Sequence, residues 1–253
     1  MGAFNPMELS GRRVLVTGAS SGIGRAVAVT ASRLGAEVVL SARRGDELEA
    51  TRRLLDEPGR HSVLPCDLAD AAAVAELAER ATEAGPLDGF VHSAGVCPVA
   101  PISVVGESVL EAAMRVNYGA FMLLMRHLAK RGRVTGRFSA VAVSSVSAAA
   151  GWAGGSVYAG TKGALGAAVR SLAIELAPKG IRVNAVCPSC VRTPLHEATA
   201  ALRGGAEGPS DAGHPLGFAE PRQVAEPVCF LLGDAASFVT GVELPVDGGY
   251  LAR

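Results

Sequence analysis

Short, continuously apolar runs recur along the chain, separated by longer stretches in which apolar residues return every three or four positions. RRVLVTG (12–18) precedes a helical pattern in IGRAVAVTASRLG (23–35), and EVVLSA (37–42) precedes GDELEATRRLLDE (45–57). HSVLPCD (61–67) precedes AAAVAELAERATEA (71–84), and DGFVHSAG (88–95) precedes a long helical stretch from about Glu107 to Lys130. FSAVAVSS (138–145) leads to a helix from about Val157 to Ala177. IRVNAVCP (181–188) is the next strand, followed by a helix near Gln223 to Leu232 and a short strand, GVELPV (241–246). Strands that are apolar on both sides predict a sheet buried on both faces. With helices between them, the pattern predicts a Rossmann-type α/β fold: a doubly wound parallel sheet with right-handed crossovers. No repeat or linker interrupts the series, so one domain is expected over residues 1–253. The longest irregular stretch, residues 195–218, marks either a lid over a functional site or a flexible linker.

Composition narrows the partners. Apolar residues make up 49% of the chain and charged residues 19%, a core-rich globular balance. The 24 basic and 24 acidic residues cancel, which gives no general attraction for nucleic acid or anionic membranes. No apolar run approaches the roughly 18 residues of a membrane span, and the start, MGAFNPMELSGRR, lacks a secretory apolar region. Five scattered cysteines predict free thiols in a reducing compartment, hence a cytoplasmic protein.

TGASSGIG, Thr17 to Gly24, joins the first strand to the first helix. Gly18 permits a tight turn, Gly22 and Gly24 admit close approach of a pyrophosphate, and the helix N-terminus offers unpaired N–H groups to phosphate. The spacing is not the G-x-G-x-x-G form, and no Gly-Lys-Ser/Thr follows to make a P-loop. A ligand-free glycine turn is the plainer alternative. In NAD-specific sites an acid ends the second strand. Here VVLSARR places Ala42 there, followed by Arg43 and Arg44, which favours the 2′-phosphate of NADP(H) over NAD(H). Two solvated loop arginines are the alternative. Asp67, after the third strand, is positioned to accept from an adenine amino group.

Tyr158 and Lys162 in SVYAGTKGAL stand one helical turn apart, on one face, among small residues. A chance surface pair would look the same in isolation. In combination, TGASSGIG, CDL at 66–68, HSAG at 92–95, RVNYG, SSVS, YAGTK and RVNAVCPSCVRTPL resemble the short-chain dehydrogenase/reductase family over essentially the whole chain. The closest flavour is that of 3-oxoacyl-(acyl-carrier-protein) reductase-like members.

The resemblance implies Asn117, Ser145, Tyr158 and Lys162 as catalytic residues. Tyr158 would be the general acid/base, with Lys162 and an oxidised nicotinamide lowering its pKa. Lys162 would also hold the nicotinamide ribose, Ser145 the substrate oxygen, and Asn117 a proton-relay water. It further implies cofactor contacts at Gly18, Ser20, Ser21, Gly22, Ile23, Gly24, Arg43, Arg44, Asp67, Leu68, Ser93, Ala94, Gly95, Pro188, Val191 and Thr193, together with Tyr158 and Lys162, and a homotetramer. The substrate would be a small carbonyl or alcohol, with an acyl-carrier-bound 3-oxoacyl thioester as one form. An NAD-linked dehydrogenase of a sugar, steroid or other secondary alcohol is the alternative, and a nucleotide-binding regulator without turnover the third reading.

Several positions depart from the family pattern. His92 and Ser93 replace two asparagines, and Ser189 replaces a glycine whose φ would strain a side chain if positive. Cys187 and Cys190 form C-P-S-C without a second pair at metal spacing. The basic stretch KRGRVTGR (130–137) suits either an acidic carrier protein or helix C-terminal dipoles. Arg192, His196 and His214 fall in or beside the irregular stretch.

Overall fold

The computed structural model describes residues 5–202 and 213–252. Seven strands form one parallel sheet: β1 (Arg13–Thr17), β2 (Glu37–Ser41), β3 (Ser62–Val63), β4 (Leu87–His92), β5 (Val134–Val143), β6 (Arg182–Pro188) and β7 (Glu243–Val246). Their order is β3-β2-β1-β4-β5-β6-β7. The sheet therefore reverses its winding between β1 and β4, and ligands of open α/β sheets bind in the crevice at such a point, beyond the carboxyl ends of the strands.

Helices cover both faces. α1 (Gly22–Arg33) and α2 (Gly45–Arg52) lie on one side, together with a helix near the C-terminus, α8 (Pro221–Leu232). α3 (Ala71–Ala81), α5 (Ala120–Leu128) and α6 (Ser156–Leu176) lie on the other, while α4 (Glu107–Met114) leads into α5 and α7 (Pro194–Leu202) follows β6. Alternation along the strands feeds two cores. Leu15, Val39, Phe90 and Ala140 point to the α3/α5/α6 side, whereas Val14, Val38, Val91 and Val141 point to the α1/α8 side. All eight are fully buried, which is why the strands read as apolar throughout. Among the described residues no helix is long and apolar enough to cross a membrane.

The sequence expectation holds for the order of elements and differs at four places. β3 is only two residues long, and β5 begins at Val134 rather than Phe138, with a register irregularity opposite Leu87 and Gly89. The long helical stretch is not continuous: Arg115–Gly119 form a π-turn between α4 and α5. The irregular stretch at 195–218 begins as helix α7, started by Pro194 and by Thr193, whose Oγ1 accepts from the His196 amide at 3.2 Å. Its middle, 203–212, lies outside the described residues.

Glycine is required where α1 meets the turn before it. A Cβ on Gly24 would stand 2.2 Å from the Gly18 carbonyl oxygen, a backbone atom that cannot swing aside. Gly24 thus serves the packing of helix on strand. Replacing Gly24 by Ala forces α1 off β1, an overpacking change that costs about 1–3 kcal/mol. Urea unfolding should show a lowered midpoint, and an unchanged midpoint would contradict this packing.

Candidate active site

The predicted residues converge on the carboxyl edge of the sheet around the β1/β4 junction. Gly18 ends β1 with φ +69°, and a Cβ there would lie 2.7 Å from the Ala94 nitrogen, so this turn and the loop after β4 pack backbone to backbone. Gly22 has φ +51° and faces the Thr193 side chain. Ser21 precedes α1 without a side-chain cap. The first N–H groups of α1, at Gly22, Ile23 and Gly24, therefore have neither intrahelical nor side-chain partners among the described residues, as an anion site requires. Gly95 leaves open the space beside Asn117 and Lys162: a Cβ on it would come within 3.6 Å of Lys162 Nζ. These features fit a dinucleotide lying along the turn with its nicotinamide end toward Lys162.

The adenosine end is less uniform. Arg43 is exposed and has no ion-pair or hydrogen-bond partner among the described residues. Arg44 is exposed too, but its guanidinium meets Glu47 at 2.6 Å. Asp67 is exposed and accepts from the Ala69 amide at 3.0 Å. The Leu68 and Val191 side chains are buried in the two cores, so only their backbone can meet a ligand. Ser20 and Pro188 are likewise buried, Ser93 and Ala94 partly so.

A buried polar seam organises the other half. Asn117 lies in the π-turn and is fully buried. Its Oδ1 accepts from the Val96 amide at 2.8 Å, and its Nδ2 donates to the Val96 carbonyl and to Thr161 Oγ1, each at 2.9 Å. Asn117 thereby pins the loop after β4 to α6, one residue before Lys162. Its own carbonyl lies 3.2 Å from His92 Nε2, while His92 Nδ1 meets Thr17 Oγ1 at 3.1 Å. Because a carbonyl only accepts, His92 carries its proton on Nε2 and takes the Thr17 hydroxyl proton at Nδ1. Burial first, and the Lys162 cation second, push the His92 pKa down to about 3. His92 is thus a neutral structural replacement for an amide, as its position suggested.

Tyr158 and Lys162 share one face of α6, with Lys162 Nζ 5.6 Å from the Tyr158 ring centroid. Lys162 is buried and donates to the Val143 carbonyl at 2.7 Å, and burial lowers its pKa to about 8. For the Tyr158 phenol the protein's own groups act in the upward direction. Burial pushes it up, with the nearby Cys97 thiol adding to the rise, and a hydrogen bond from Ser145 opposes it. Two groups removed from water each favour their neutral form. Ser145 stands after β5, at the start of a short turn, where its Oγ accepts from the Ser147 amide at 3.1 Å.

Sequence reasoning missed Thr161, Thr17 and Cys97. Thr161 sits inside the quoted YAGTK, but nothing in that string marks it as Asn117's partner. The C-P-S-C pair has no redox setting: burial raises the Cys187 thiol to about 11, and no group of three metal-ligating side chains occurs among the described residues. Ser189 is not at positive φ, because Glu57 is the one non-glycine residue there among those described, so the anticipated strain is absent.

A family model described as enoyl-(acyl carrier protein) reductase matches residues 18–251. L-Xylulose reductase of Bos taurus is 38% identical over 250 residues, covering 97% of this chain and 99% of that one. Cis-4-hydroxycyclohexanecarboxylate dehydrogenase of Sinomonas cyclohexanicum is 37% identical over 244 residues, covering 95% and 97%. A solved short chain dehydrogenase/reductase family protein superposes with TM-score 0.86 at 35% identity, covering 96% of this chain and 99% of that one. This chain belongs to the short-chain dehydrogenase/reductase family. It is an oxidoreductase of the nicotinamide-dependent kind that the site's shape suits. A structure assigned as an NAD(P)-dependent gluconate 5-dehydrogenase from Beutenbergia cavernae, with NADP bound at low occupancy, superposes with TM-score 0.89 at 35% identity, over 98% and 100% of the two chains.

The His92 seam has a pH signature for a member of this family. Its folded pKa lies below the ordinary 6.5, so the unfolded chain binds the extra proton first. Its stabilising contribution is complete above about pH 6.5 and is lost as pH falls from there toward 3. Wild-type stability should decline through that window, and the decline should be shallower in His92→Asn. Equal pH slopes in denaturant titrations would contradict the burial of a neutral imidazole.

Proposed function

We propose that the protein interconverts a secondary alcohol and its ketone at the Tyr158 hydroxyl, on small hydroxylated substrates of the sugar-alcohol or cyclic-alcohol kind. The observation that carries this reading is the convergence of Tyr158, Lys162 and Ser145 beside the glycine turn. The relatives favour the alternative drawn from the sequence, a dehydrogenase of a sugar-like secondary alcohol, over a 3-oxoacyl thioester reductase. The basic stretch adds little to a carrier-protein reading, since Arg133 lies 3.6 Å from Glu79 and Arg137 lies 3.1 Å from Asp88. Apolar side chains exposed on α4 (Val109, Leu110) and α6 (Ile174) support the homotetramer that the resemblance implies.

The nicotinamide, when bound, supplies or receives the hydride. Ser145 orients the substrate oxygen against the Tyr158 hydroxyl. Tyr158, held protonated by burial, donates its proton to the oxygen of a ketone being reduced. In the reverse direction it must first lose that proton. Lys162 holds the nicotinamide ribose, and Asn117 fixes the height of α6 against the loop after β4. Arg43, exposed and unpaired, gives a 2′-phosphate a partner and favours NADP(H), and Arg44 would have to leave Glu47 to join it.

Two measurements test this reading. Steady-state assays over tetritols, pentitols, cyclohexanols and a 3-oxoacyl thioester should show turnover of an alcohol class. Oxidation should climb with pH through the alkaline range, and reduction should hold through neutrality. Tyr158→Phe should lower both by about a hundredfold to ten-thousandfold, and a fully active Tyr158→Phe would remove the assignment. Fluorescence titration should give tighter NADPH than NADH binding, the difference shrinking in Arg43→Ala. A preference for NADH would overturn the cofactor reading.

A further inference from the structure

The chain returns from its undescribed segment along a short limb, His214 to Ala219, that lies between two loops. On one side, Ala219 donates to the Cys190 carbonyl at 3.0 Å, and the Arg192 amide donates to the Ala219 carbonyl at 2.9 Å. On the other, the Leu216 amide donates to the Gly248 carbonyl at 3.1 Å. Within this limb His214 is 3% exposed, although Leu216, two residues on, is 86% exposed. The His214 ring stacks on Tyr250 at 4.8 Å between centroids and meets Phe218 edge-on at 5.0 Å. Its Nε2 shares a hydrogen bond of 2.6 Å with the Ser189 hydroxyl.

Ser189 is the residue at which this chain departs from a glycine, and a glycine would have no hydroxyl to give. It stands between Cys190 and Pro188, the last residue of β6, and β6 runs beside β5 up to the Ser144 amide, which donates to the Val186 carbonyl at 2.8 Å one residue before Ser145. The limb is therefore fastened to the stretch of backbone that borders the reacting tyrosine, by a side-chain bond and not by backbone pairing alone.

We propose that His214 is a positioning residue: through Ser189 it fixes the limb 214–218 as the substrate-side wall of the Tyr158 cleft. The inference rests on the reading that alcohol oxidation takes place at Tyr158. The bond orders the wall before substrate arrives, so losing it weakens substrate binding while the reacting groups stay in place. Neither residue touches the transferred proton, so the turnover rate is preserved.

Kinetics with NADP+ and xylitol as the probe test this. His214→Phe keeps the stack on Tyr250 and removes Nε2, and Ser189→Ala removes the hydroxyl. Each should raise KM for xylitol about tenfold, the size of one hydrogen bond of ordinary net strength, with kcat within about twofold. The double variant should be no worse than either single one, since both delete the same bond, and His214→Gln should recover part of the loss. Unchanged KM in both single variants, additive effects in the double, or a lowered melting temperature with KM intact would overturn the proposal. Should wild type oxidise neither xylitol nor any other alcohol of the panel, the function reading fails and the fastening is judged separately by hydrogen exchange. Backbone amides 216–219 should then exchange about tenfold faster in Ser189→Ala than in wild type, and equal rates would overturn it.

Discussion

The site depends on one buried amide. Asn117 is fully enclosed, and both ends of its side chain are spoken for by the Val96 backbone and Thr161. A buried amide left half-paired costs roughly 1–3 kcal/mol per lost partner, so the loop after β4 and helix α6 are held to one relative position. That position puts Lys162 under the loop and Tyr158 at its mouth. Asn117 lies within the π-turn, and its carbonyl meets His92 Nε2. His92 in turn reaches across to Thr17 at the end of β1. One continuous polar path thus joins the glycine turn, the β4 end, the π-turn and α6.

The electrostatics of the cleft follow from this enclosure. Tyr158, Lys162 and His92 are all displaced toward their neutral forms, with burial as the leading cause in each case. The cost of holding Lys162 and His92 out of water is offset by fixed partners: the Val143 carbonyl for Lys162, and the Asn117 carbonyl with Thr17 for His92. Chemistry and stability draw on the same hydrogen bonds.

Reading the sequence worked best where one residue type admits one explanation. Gly18 was legible as a turn glycine because a left-handed φ so often requires it, and Tyr158 and Lys162 because their spacing fixes a common face. Gly24 has a further reason that the sequence did not show: its missing Cβ accommodates the Gly18 carbonyl. The phenol's pKa was argued from a neighbouring charge, whereas burial, which a single sequence does not display, determines its direction. Arg44 looked equivalent to Arg43 until Glu47 was found against it.

Periodicity, glycine placement and the tyrosine–lysine spacing thus determined the parallel doubly wound sheet, the glycine turn between β1 and α1 and the common face shared by Tyr158 and Lys162. All three are local: each depends on residues within a few positions of one another, or on the alternation of a single strand. The partners of Asn117, the neutrality of His92, the break in the long helix and the fastening of His214 to Ser189 were decided only in the folded chain. Those contacts join residues 21 or more apart, as between Val96 and Asn117 or Ser189 and His214. Nothing local distinguishes a buried partner from an exposed one until the sheet has closed over both.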